Sequence, residues 1–138
     1  MLNYNHILYA TDLDDCCKES IPRVLEFSVE FGAKVTIVHV VKSIPSTYGF
    51  AAIDVQVESD LVELARKKMD ELISSFDIDK QNTLIATGQV TSAILDISRD
   101  LGCDAIMLNG HTHNVFARLI STEDSIVNHA NCDVFILR

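Results

Sequence analysis

Proline and glycine are scarce in this chain, two and five residues of 138, and nowhere do they gather with serine into a linker. Domains strung on flexible connections are thereby disfavoured, and a single domain over residues 1–138 is expected. No apolar run approaches the ~20 residues that span a bilayer, and the opening Met1 to Asn5 lacks the basic start and long apolar stretch of a secretory signal. A cytoplasmic location is expected. Basic residues are also few. Eleven Lys and Arg against twenty Asp and Glu leave a formal charge of −9, which repels nucleic acid and anionic membrane, so neither is expected as a partner. The densest basic cluster, Arg66, Lys67 and Lys68, stands beside Glu63, Asp70 and Glu71 and reads as a solvated helix face with side-chain pairs. The four cysteines, Cys16, Cys17, Cys103 and Cys132, have no C-x-x-C spacing. The adjacent pair bridges only with strain, so all four read as reduced cytosolic thiols. Neither G-x-G-x-x-G nor G-x-x-x-x-G-K-S/T occurs, which disfavours a Rossmann dehydrogenase and a P-loop NTPase.

What is plentiful is apolar side chain: 48% of residues. That content suggests strands buried on both faces and an apolar surface that pairs with a second copy. Short β-branched runs at Ile7 to Ala10, Val35 to Val41, Thr83 to Thr87, Ala105 to Leu108 and Val134 to Leu137 predict five strands. Between them the apolar spacing turns helical. Ile21, Leu25, Val29 and Phe31 mark the first helix, ending at Gly32; Leu61, Leu64, Ala65, Met69, Leu72 and Ile73 form one stripe of the second. Ala93, Ile94, Ile97 and Leu101 mark the third, closed by Gly102, and Ile126, Val127 and Ala130 a short fourth. This β-α alternation predicts parallel strands with right-handed crossovers in a three-layer α/β sandwich. Pro22 is tolerated if the first helix starts only a few residues earlier. Lys42 to Asp54 reads as the one long connection, of the kind that covers a site or an interface.

In such a sheet, ligands bind beyond the carboxyl ends of the strands at the topological switch point. The acidic turn after the first strand, at Asp12, and the glycine turn after the fourth, at Gly110, are therefore expected side by side there. Asp12, Asp14 and Asp15 could hold Mg²⁺ as in a phosphoacceptor receiver, but the third strand ends in Ala86, Thr87 and Gly88 rather than in an acceptor Asp. His111 and His113, with His39 as a third imidazole, could approach a metal, yet no acidic or thiol ligand is spaced to complete the set; no metal is expected. Ser121 and Ser125 precede or open the fourth helix as caps rather than nucleophiles. Gly110 with Ser121 and Thr122 reads either as an anion site at a helix N-terminus or as a plain turn and a plain cap.

Over essentially its whole length the chain resembles the universal stress protein family. His6 to Leu13, reading HILYATDL, resembles the family's first strand and its aspartate, and Val35 to Val40, VTIVHV, its second strand. Gly88, Gln89 and Val90 with Ile94 resemble the turn opening its third helix, and Cys103 to His111 its fourth strand and glycine turn. ATP-binding members carry a Gly, two residues, a second Gly, a short spacer and Gly-Ser or Gly-Thr. Gly110 matches the first glycine, whereas His113 and Ile120 stand where the later two belong. Replacing those glycines removes close backbone approach to phosphate. Gly110 to His113, then Phe116, Arg118, Leu119, Ser121 and Thr122, together with Ile53, Asp54 and Val55 in the long connection, resemble the UspA-like branch, regarded as not binding ATP.

The resemblance implies a five-stranded parallel, doubly wound sheet of order 3-2-1-4-5, as in the adenine nucleotide alpha hydrolase-like folds. It places Asp12 near an adenosine sugar, Val40 near the base, and Gly110 and Ser121 near phosphate, as a vestigial nucleotide site. It implies a cytoplasmic stress-response protein that is no enzyme, needs no cofactor and has protein partners the sequence does not name; an ATP- or Mg-ATP-binding switch with feeble ATPase activity is the alternative. The same strand order puts Val134, Phe135, Ile136 and Leu137 on a sheet edge with no helix following. An apolar edge without charge or proline aggregates unless it pairs, so a two-fold homodimer through that strand is expected.

Overall fold

The computed structural model describes residues 3–14, 16–43, 51–110 and 125–138. Its elements run β1 (His6–Ala10), α1 (Cys16–Phe31), β2 (Lys34–Lys42), α2 (Ala51–Ser74), a 3₁₀ turn (Lys80–Asn82), β3 (Thr83–Gly88), α3 (Val90–Asp100), β4 (Ala105–Asn109), a helical segment α4 over residues 125–129, and β5 (Asp133–Leu137). The strands form one sheet of order β3-β2-β1-β4-β5, and each neighbouring pair is parallel. All five predicted strands are present. No helix among the described residues is long and apolar enough to cross a membrane.

Period-two alternation splits the core in two. Ile7, Tyr9, Ile37, Ala105 and Met107 pack with Ile21 and Val24 of α1 and with Met69, Leu72 and Ile73 of α2. Leu8, Val38, Ile106 and Leu108 project to the other face, against Ile94 of α3 and Ile126 of α4. β4 is buried at every position, as a central parallel strand covered by helices on both faces must be. An aromatic group of Tyr4, Phe27, Phe31 and Phe135, with centroids 4.7–5.6 Å apart, joins the N-terminal segment, α1 and β5.

The helices depart from the predicted stripes in places where a polar residue takes an inward position. Val29, expected inside, is 80% exposed, while Ser28 is buried with its hydroxyl donating to the Leu25 carbonyl at 2.7 Å. Its local bond satisfies the hydroxyl, so the inward stripe runs Ile21, Val24, Ser28. Leu61 and Leu64 of α2, Leu101 after α3 and Val127 of α4 are likewise exposed. The buried stripe of α2 is Ala65, Met69, Leu72 and Ile73. α1 starts six residues ahead of Pro22, placing the proline beyond the first turn, where it removes a helical N–H; burial of Ile21 and Val24 on either side holds the helix there. α2 already begins at Ala51, so Ile53, Asp54 and Val55 lie in its opening turns rather than in a loop. Nothing after Gly49 breaks a helix there. The rest of that predicted connection, residues 44–50, lies outside the described residues.

Both predicted glycine stops are Schellman caps. Gly32 and Gly102 have φ of +62° and +66°, and the residues after them, Ala33 and Cys103, donate to Ser28 and Ser98 at 2.8 Å. At the sheet's amino end, the Asp104 carboxylate accepts from the backbone N–H groups of Asn5 (2.9 Å) and His6 (3.1 Å), while its own N–H donates to the His6 carbonyl. Burial pushes this carboxyl up, but those backbone donors outweigh it and leave it below the usual carboxylate range.

Candidate functional site

The crevice lies at the carboxyl ends of β1 and β2, roofed by α2. The β1 ladder runs one step past the strand, with Thr11 N–H donating to the Val38 carbonyl at 2.8 Å, and then turns sharply. Thr11 fixes that turn with two further groups. Its hydroxyl accepts from Leu13 N–H at 3.0 Å, and its carbonyl lies 2.7 Å from Nδ1 of His39. Because a carbonyl can only accept, Nδ1 of His39 is the donor of this bond. Leu13 takes up a left-handed backbone, φ +61°, which costs a branched residue about 1–2 kcal/mol. Its side chain packs against the first core cluster and offsets that strain. Strain of this sort concentrates at functional turns.

Between Thr11 and Leu13 the exposed Asp12 is brought to the rim of a cavity of about 210 Å³, whose wall also includes His39, Val40, Leu61 and Leu64. Lys42 and Lys68 line it as well. The exposure of Leu61 and Leu64 is thus explained: they are turned from the core toward the crevice. Asp12 and Val40, picked from the sequence as sugar-side and base-side residues, are in one cavity. Sequence reading missed its remaining polar residues, Lys42, Lys68 and His39 as a wall. Lys68 gave no signal beyond its place on a solvated helix face, and Lys42 none beyond opening the long connection.

Gly110 is not part of that cavity's wall. It does follow β4 beside the end of β1, since Ala10 pairs with Leu108, but its N–H donates to the Leu137 carbonyl at 2.6 Å. A Cβ at this position would meet Cγ2 of Ile136 at 2.8 Å and Cγ of Arg138 at 3.2 Å. Its lack of a side chain serves the approach of β5. Ser121, like His111, His113 and Asp15, lies outside the described residues. The first residue inside the glycine turn, Asn109, belongs to β4 and is buried, with its amide donating to the Tyr9 hydroxyl at 2.9 Å. β3 is an edge strand, separated from β1 by β2, whereas receiver domains follow the order 2-1-3-4-5. The receiver reading is excluded on topology.

Comparison with known proteins agrees with this architecture. The sequence pattern of the universal stress protein family matches residues 3–138. Universal stress protein A homolog 2 of Coxiella burnetii is 32% identical, with 100% of this chain and 97% of that protein covered. The structure of the universal stress protein UspA from Lactobacillus plantarum superposes with a TM-score of 0.83 at 21% identity, over 100% of both chains. A universal stress protein solved in complex with cAMP superposes with a TM-score of 0.66 at 16% identity, over 99% of this chain and 98% of the other. With its β3-β2-β1-β4-β5 sheet and a match running from Asn3 to Arg138, the chain belongs to the universal stress protein family.

Proposed function

We propose that this protein acts in the cytoplasmic stress response as a homodimer of the UspA-like, non-ATP-binding kind, working through association with partners rather than through catalysis. The observation that carries this reading is the outer edge of β5. Leu137 turns its carbonyl inward to Gly110. Because backbone groups alternate along a strand, Val134 and Ile136 aim theirs outward. The strand, DVFIL, has no charge past Asp133 and no proline, and such an edge invites pairing with another strand. Antiparallel pairing with a second copy closes a two-fold dimer. The commitment of the Gly110 N–H to Leu137 supports the absence of ATP binding, since that donor is taken by protein.

A second reading is favoured by one observation, the meeting of Asp12 and Val40 in the crevice. There an adenosine nucleotide would lay its base against Val40 and its ribose hydroxyls against Asp12, and a universal stress protein of similar fold has been solved in complex with cAMP. At about 210 Å³ the cavity is smaller than the ~300–1,000 Å³ of common ligand sites, and it suits part of a nucleotide better than a whole one.

Sedimentation equilibrium together with calorimetric titration by Mg-ATP separates the two. A dimer that stays silent at millimolar ATP is expected. A monomer across the micromolar range would remove the first reading. Binding tighter than about 100 μM, about −5.5 kcal/mol, would establish the second.

A further inference from the structure

The other face of the sheet carries a second cavity, about 260 Å³, between the end of α3 and α4. Its wall includes two thiols, Cys103 and Cys132, with Ser98 between them in the fold. Cys103 leads into β4 and Cys132 into β5, adjacent parallel strands with Ala105 opposite Asp133. A bend at Asp104 turns Cys103 to the same face as Cys132, and both join the cluster around Ile94 and Ile126. Ser98 ties the two together. Its carbonyl accepts from Cys103 N–H at 2.8 Å, and its hydroxyl lies 3.7 Å from Cys132 Sγ. Neighbouring strands run about 4.8 Å apart, and disulfides span Cα separations of about 4.4–6.8 Å. Segments that enter neighbouring strands on one face can therefore be bridged.

We propose that Cys103 and Cys132 form a reversible intramolecular disulfide when the protein meets a peroxide. Cys132, half-buried, is the more accessible thiol, and Cys103 is buried. The Cys132 thiolate attacks one peroxide oxygen. The O–O bond breaks, Cys132 becomes a sulfenic acid, and the departing hydroxide takes a proton to leave as water. The Cys103 thiolate then attacks Cys132 Sγ. The S–S bond forms, the S–O bond breaks, and a second water departs, so two thiols and one peroxide give one disulfide and two waters. Burial pushes the Cys103 thiol up to about 11 and raises Cys132 as well. Little thiolate is then present at neutral pH, and the pair responds to sustained oxidant rather than to traces. This inference stands independently of the dimer and nucleotide readings, because neither β5's outer edge nor the crevice takes part.

The test uses the full chain with Cys16→Ser and Cys17→Ser, so that only Cys103 and Cys132 remain of the four cysteines. After hydrogen peroxide, the intact mass is expected to fall by two hydrogens, titratable thiols to drop from two to none, and dithiothreitol to restore both. Peptide mapping of the unaltered protein, which does not depend on that variant folding, should join the Cys103 and Cys132 peptides. In Cys103→Ser the reaction should stop at Cys132 sulfenic acid, trapped by dimedone. Thiols that persist under peroxide sufficient to oxidise the urea-unfolded chain would overturn the proposal. So would oxygen addition without hydrogen loss in the two-thiol chain, or a disulfide joining two chains.

Discussion

Gly110 donates its backbone N–H to the Leu137 carbonyl at 2.6 Å, and the space a side chain would need at Gly110 is filled by Ile136. The residue that most resembles a phosphate-loop glycine is thus the contact that seats the last strand. Cγ2 of Ile136, 2.8 Å from a Cβ at position 110, is the fixed branch of a β-branched residue rather than a flexible tip. Gly110→Ala is therefore expected to destabilise by about 1–3 kcal/mol, the range for overpacking. Urea unfolding reads this directly as a lower midpoint at unchanged slope. A loss under about 0.5 kcal/mol, as for neutral surface changes, would show that β5 yields to the extra methyl.

Tyr9 and Asn109 lie 100 positions apart in the chain and meet in the core, where the Asn109 amide donates to the Tyr9 hydroxyl at 2.9 Å. Tyr9 is 0% exposed. Tyr9→Phe keeps the ring and removes this acceptor from a buried donor, a loss of about 1–3 kcal/mol. Denaturation of Tyr9→Phe beside Tyr9→Phe with Asn109→Leu checks the cause: the second change should recover part of the loss if the stranded amide is responsible.

The strands were legible in the sequence because β-branched runs such as Val35 to Val41 are buried on both faces and carry no competing pattern. Gly32 and Gly102 were legible because a left-handed cap accepts little else. The helical stripes were legible only in part. Ser28 hides its polarity in a bond to Leu25, so a count of apolar residues passed over it and took Val29. Leu61 and Leu64 do obey the helical period, yet they face a crevice rather than the core, a difference that requires knowing what stands opposite. Asp12 and Val40 could be picked out because the stretches HILYATDL and VTIVHV that hold them resemble the family's first two strands. Lys42 and Lys68 could not, because their place in the crevice depends on how α2 crosses β2.

Acid should weaken the protein in part through Asp104. Its folded carboxyl lies below the usual range because the N–H groups of Asn5 and His6 outweigh its burial. A lowered folded value means that the ionised form is the one that stabilises. The contribution is complete above the unfolded value, about 3.9, and disappears as pH falls through the folded one. Asp104→Asn is expected to cost about 1 kcal/mol at pH 7, since these bonds are largely exposed and water screens them. At pH 2–3 the difference from the parent should shrink. Urea midpoints of both proteins from pH 7 to pH 2 test this, and a constant gap would assign the effect to packing rather than charge.

The dimer edge calls for a variant that spares the fold. Phe135→Lys is a poor probe because Phe135 stacks with Tyr4 and Phe27 at 5.6 and 5.2 Å and would unfold the corner it belongs to. Val134 is better placed. Leu137 faces inward to Gly110, so backbone alternation turns the Val134 N–H outward, where proline removes no bond of the sheet. Past Ile136 the edge is closed, as the Arg138 carbonyl accepts from Arg23 at 3.0 Å. Val134→Pro should therefore leave the circular dichroism of the fold intact while weakening self-association at least tenfold, about 1.4 kcal/mol, in sedimentation equilibrium. A folded variant that associates as tightly as the parent would place the dimer contact somewhere other than β5.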